Sequence, residues 1–120
     1  MTVLSTGSYQ RWTPAQGVPV RTSAGAPRWF PEPLVEWPTV YPSWALVRGG
    51  VAEEEYRRRY RHQLHRQTPA ILRELQDMRD GYDQPLCLLC WCVRGFCHRR
   101  FLAEWLEQHL DETIPEISHP

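Results

Sequence analysis

Leu86-Cys-Leu-Leu-Cys-Trp-Cys-Val-Arg-Gly-Phe-Cys-His-Arg-Arg100 is the stretch that decides the fold. Its first five residues follow Pro85 and are apolar throughout, as expected of a strand covered on both faces. A Gly-containing loop comes next. Beyond it Phe101, Leu102, Trp105, Leu106 and Leu110 recur on one helical side, with Glu104, Glu107 and Gln108 opposite. A strand that opens through a loop onto a helix start leaves several backbone N–H groups unpaired and aimed at one spot, which suits an anion or a polar ligand. The same stretch carries all four cysteines of the chain, one histidine and three arginines, so thiol, imidazole and guanidinium chemistry meet there.

The remaining composition bounds what this site can belong to. A chain of 120 residues with 42% hydrophobic content supports one modest core, expected over residues 1–112, with 113–120 as a loose tail. All 14 basic residues are arginine and the formal net charge is +0, so no broad footprint for duplex DNA is expected. No run approaches the roughly 18 apolar residues that span a bilayer, and the start Met1-Thr-Val-Leu-Ser-Thr-Gly7 lacks the regions of a signal peptide. The expectation is a cytoplasmic protein that avoids membranes. Four cysteines within eleven positions cannot staple distant parts of the chain, so free thiols or metal ligands are expected.

Outward from the deciding stretch, Val3-Leu-Ser5 reads as a buried first strand breaking into a polar turn, Thr6-Gly-Ser8, and Val18-Pro-Val20 as a second ending in Arg21-Thr-Ser-Ala-Gly25. Residues 26–44 carry five prolines and five aromatic rings, among them Trp29, Trp37 and Trp44. That mixture reads as an ordered loop without regular pairing, a lid or a buttress. Glu53 to Glu55 followed by Arg57 to Arg61 fit a helix whose inner stripe is Tyr56, Tyr60 and Leu64. Thr68-Pro69 opens another with Ile71, Leu72, Leu75 and Met78 inward, ended by Gly81. The order of elements predicts a small α/β domain, a mainly parallel sheet flanked by helices, Rossmann-like in three layers or in part. In such sheets ligands sit beyond the carboxyl ends of the strands, so Thr6, Gly7, Ser8, Ser23, Gly25 and the segment from Cys90 to His98 are expected to face one pocket.

The motifs Arg21-Thr-Ser-Ala-Gly-Ala-Pro-Arg-Trp-Phe30, Pro42-Ser43, Tyr56 with Tyr60, Leu88-Leu-Cys90, Phe96-Cys-His-Arg99 and Ala103-Glu-Trp-Leu106 follow one another along nearly the whole chain. In this order they resemble the domain-of-unknown-function 488 family of small bacterial and phage proteins. The resemblance implies the same fold and no particular reaction. Where that family usually has glutamate two residues after the strand cysteine, this chain has Cys92. Cys90-Trp-Cys92 followed by Cys97-His98 also resembles a related small family with that pattern.

Three functions are open at this level, and whether the chain is an enzyme is open with them. The first is a pocket for a small anionic ligand or nucleotide, or an enzyme on nucleotide or nucleic-acid-derived substrates. Arg94 or Arg99 would pair with the negative group, His98 would transfer a proton, and Cys92 or Cys97 would act as nucleophile at a helix start. The second is a zinc-stabilised binding module using Cys90, Cys92, Cys97 and His98, although adjacent Cys97 and His98 do not easily share one ion. The third is a phage or defence-associated protein whose aromatic, Pro-rich segment docks a protein partner. No cofactor is required by the sequence, zinc being the candidate. Cys87 reads as plain core, as does Trp105.

Overall fold

The computed structural model describes residues 2–91 and 97–117. The apolar run forms a strand, Leu86–Cys90, with all five residues buried. It lies inside a four-stranded sheet whose other strands are β1 (Leu4–Ser8), β2 (Val18–Arg21) and β3 (Val35–Glu36); the run itself is β4. The order is β1-β4-β2-β3 and every pairing is parallel. The helices are α1 (Trp44–Arg48), α2 (Glu53–Arg66), α3 (Thr68–Gly81) and α4 (His98–Leu110), so the expected parallel α/β class is what the chain forms.

Alternation along β4 sorts the layers. Leu86 and Leu88 join Leu4, Val18 and Val20 against Tyr60, Leu64, Ile71, Leu75, Leu102 and Leu106 of the helices. Cys87 and Leu89 point the other way, onto Tyr9, Trp12, Phe30, Leu34 and Ile117. One face is therefore covered by helices and the other by short turns, the aromatic loop and the C-terminal segment. The partial form of the expected architecture is realised, at roughly 2 kcal/mol for each fully buried leucine. Pro19 fits its place in β2: Val18 N–H donates to Pro85 O just before β4 at 2.8 Å and Thr22 N–H to Leu89 O within β4 at 3.1 Å, so residue 19 turns its backbone away from β4. β3 pairs only with Val20 and Arg21, and the missing proline N–H costs no ladder bond.

Three expectations are corrected, and one short helix is new. Thr6, Gly7 and Ser8 are not a turn; they continue β1 and pair with Leu88, Leu89 and Cys90. The buried Thr6 hydroxyl is tolerated because it has partners: Thr6 Oγ1 donates to Glu116 at 2.7 Å and accepts from Arg100 at 2.8 Å. The tail is docked through residue 117, since Thr6 N–H donates to Pro115 O at 2.9 Å, Ile117 N–H donates back to Thr6 O at 2.8 Å, and Ile114 is fully buried. Segment 26–44 holds a two-residue strand at Val35–Glu36, fastened by an Arg21–Glu36 ion pair at 2.8 Å. Finally, α1 starts at Trp44 on a Ser43 cap, whose Oγ accepts from Leu46 N–H at 3.2 Å. No helix among the described residues is long and apolar enough to cross a membrane.

Candidate functional site

A cleft of about 300 Å³ opens beyond the carboxyl ends of β2 and β4. Ser23, Ala24 and Gly25 follow β2, Trp91 follows β4, and His98 begins α4. Pro42, Trp44 and Val47 form the opposite wall with Tyr56 of α2. The lining is mainly apolar and aromatic, with Ser23 and His98 as its polar side chains.

The β2 end of the cleft is held from beneath. Ser23 Oγ donates to Gly25 O at 2.6 Å, which makes the Tyr9 hydroxyl, 2.7 Å away, the donor to Ser23. Burial raises the Tyr9 pKa, which keeps that donor protonated. Arg21 Nε donates to Ser23 O at 2.9 Å and its Nη2 donates to Ala24 O. Trp91 Nε1–H reaches Gly25 O at 2.9 Å, so the loop after β2 fixes the indole after β4.

His98 is buried against the sheet end. Its Nε2 lies 3.0 Å from Thr22 O, and because a carbonyl only accepts, Nε2 carries the proton and Nδ1 is the basic nitrogen. Burial first, with Arg99 nearby, pushes its pKa down to about 4, so the ring is neutral at physiological pH. Behind it the Sγ atoms of Cys90 and Cys97 stand at disulfide distance, a pairing the free-thiol expectation did not include. Arg99 Nη1 donates to both sulfurs, at 3.1 and 3.4 Å. The rest of its guanidinium forks onto Glu116, Nε to Oε1 and Nη2 to Oε2, each at 2.9 Å. Arg99 is 4% exposed, so this bidentate pair is what makes its burial affordable.

Ligand atoms of Cys90, Cys97 and His98 all lie within 4.8 Å of one another, a group that could hold a metal ion. Zinc chemistry suits two thiolates and an imidazole, and the ligand atoms of neighbours 97 and 98 do come close. The guanidinium on both sulfurs and the sulfur–sulfur contact both work against a second cation at that place.

Of the residues singled out from sequence, Cys97, His98 and Arg99 come together with Cys90, and Ser23 and Gly25 border the cleft. β1 does not share that pocket: Thr6 is tied into the Glu116 network, while Gly7 and Ser8 are buried in the ladder. Cys92 and Arg94 lie outside the described residues. Cys87 is a free, buried thiol with its pKa pushed up to about 11 by burial, as a core residue should be. Sequence reasoning missed Thr22, Trp91, Val47 and Glu116. The only signal for Glu116 is an acid between two isoleucines in Ile114-Pro-Glu-Ile117.

The family model described as the active DUF488-N3 subclade, DUF488-N3a, matches residues 8–110. No curated protein and no solved structure matches the chain. The matched stretch begins where β1 ends and closes with the last residue of α4, taking in the whole cleft and its cysteine–histidine–arginine corner; this chain belongs to the DUF488 family, in the subclade DUF488-N3a.

Proposed function

We propose that the protein is an enzyme on a small, planar ring-bearing substrate of the nucleobase or nucleoside type, held in the cleft between Trp44 and Trp91. The observation that carries this reading is the make-up of the cleft: two half-exposed indoles flank Gly25, and a buried neutral imidazole is a polar group of the lining. An apolar, aromatic lining favours a ring over a bare phosphate. His98 is suited to accept a hydrogen bond from a ring N–H through Nδ1, since its Nε2–H is committed to the Thr22 carbonyl and burial keeps the ring neutral. Beside it, Cys97 caps the start of α4 with Arg99 Nη1 at 3.4 Å from its sulfur, so that, once reduced from its pairing with Cys90, it is the candidate nucleophile. The word "active" in the description of the matching subclade agrees with catalysis.

The test is calorimetric titration of the reduced protein with adenosine, guanosine, cytidine and uridine, beside ribose and inorganic phosphate. The reading expects a nucleoside to bind, with Trp44→Ala weakening it at least tenfold while ribose and phosphate give no heat. Absence of nucleoside binding, or binding that Trp44→Ala leaves unchanged, contradicts it. A second reading is favoured by one observation, the convergence of Cys90, Cys97 and His98. It makes this corner a zinc site that stabilises a binding module. Metal content by mass spectrometry on protein purified without a histidine tag separates the two: one zinc per chain with shielded thiols supports the module.

A further inference from the structure

Outside the cleft the indole surface continues. Trp29 is 57% exposed and does not line the cleft, yet its ring stands edge-to-face on Trp91 at 6.4 Å and 82°. Trp91 forms one cleft wall and Trp44, 50% exposed, the other. Three accessible indoles thus run from the outer surface into the site, and an edge-to-face contact leaves ring faces free for stacking. Such a run of exposed rings is uncommon on a chain that buries Trp12, Trp37 and Trp105.

The charges beside these rings point to the kind of occupant. Arg28 precedes Trp29 and Arg48 lies over the Trp44 ring, 4.6 Å from its centroid. Both arginines are exposed, and neither forms an ion pair among the described residues. By contrast, Glu53 and Glu55 at the start of α2 are taken up by Arg57, Arg58 and Arg59. Exposed rings interleaved with guanidinium groups that form no ion pair among the described residues match a ligand that alternates flat rings with negative charges. A free nucleoside uses only the cleft and leaves Trp29, Arg28 and Arg48 idle.

We infer that the substrate is a base carried in a single-stranded nucleic acid, the target base seated in the cleft and a neighbouring base stacked on Trp29, with Arg28 and Arg48 against the backbone phosphates. This rests on the nucleobase reading of the cleft and extends it to the strand that brings the base. Stacking platforms bordered by arginine bind single strands through π-faces and phosphates, and a duplex, with its bases paired and stacked, presents neither in this form.

The experiment compares anisotropy of a labelled single-stranded 15-mer with calorimetry of the best free nucleoside, for wild type, Trp29→Ala, Arg28→Ala and Arg48→Ala. The strand is expected to bind at least tenfold tighter than the nucleoside. Trp29→Ala should weaken the strand by roughly tenfold, with nucleoside affinity and melting temperature unchanged. Each arginine replacement should reduce the slope of log affinity against log salt by about 0.7, a readout that a structural role does not move. A strand bound no tighter than the nucleoside overturns the inference and leaves the cleft reading standing, as does strand binding indifferent to Trp29. An acidic, aromatic peptide that binds where the strand does not overturns it in favour of a protein partner. Loss of nucleoside binding alone removes the cleft reading instead.

Discussion

A His98→Gln variant keeps an N–H to offer the Thr22 carbonyl and removes the titrating ring, which makes the cost of burying that ring measurable. In the unfolded chain the imidazole takes up its proton near 6.5, and in the folded protein only near about 4, burial being the leading cause. Between these values the unfolded state binds more protons, so stability rises with pH across the window. The contribution of His98 is complete above about pH 6.5 and is lost as pH falls toward about 4. At about 1.4 kcal/mol for each pKa unit the full span is about 3 kcal/mol. The linkage relation places about 2 kcal/mol of that loss between pH 7 and about pH 5, a large share of the roughly 5–15 kcal/mol that holds a domain together. The assay is urea unfolding followed by tryptophan fluorescence at both pH values for both proteins. Carboxylate titration is common to the two and cancels in the difference. Wild type should lose about 2 kcal/mol more than His98→Gln on acidification. Equal losses would show that burial does not lower the His98 pKa and would contradict a ring held neutral across this pH range.

Other outcomes follow from the same contacts. Glu116→Gln should destabilise the fold by about 3 kcal/mol because it strands the buried Arg99, while the double variant Arg99→Met with Glu116→Leu should be less destabilised than Glu116→Gln alone; denaturant melts compare them. Gly17→Ala should cost about 2 kcal/mol or more, since Gly17 has φ +109° and an added Cβ would run into the Pro85 carbonyl; its midpoint in urea is the check. Cys87 should resist iodoacetamide in the folded protein at pH 8 and react fully on unfolding, as read by mass spectrometry, because its pKa is raised to about 11.

The parts of this fold that are legible in sequence are those whose pattern is local. The apolar run Leu86–Cys90 identifies the inner strand, and the four-residue recurrence of Tyr56, Tyr60 and Leu64 identifies α2. The same logic placed Cys97, His98 and Arg99 at a helix start. What remained hidden depends on distant partners. Thr6-Gly-Ser8 reads as a turn because nothing local announces that Glu116, 110 residues away, and Arg100 will satisfy Thr6. β3 is two residues long and α1 five, below the length at which periodicity carries a signal. The Pro-rich segment divides the two roles open to it. Trp37 is a buttress, buried with its Nε1–H on Glu74 at 3.0 Å, whereas Trp44 stands open at the cleft. Tight pairing of Cys90 with Cys97 was equally invisible, since seven residues of separation say nothing of how a loop returns.

The most direct test of the central claim is a two-dimensional NMR titration of the indole Nε1–H signals with the best-binding nucleoside. The signals of Trp44 and Trp91 should move together and saturate, while those of Trp105, packed among the helices, and Trp12, bonded to Gly17 O, stay in place. Movement of the Trp12 signal in place of Trp44 and Trp91, or of none, would contradict it.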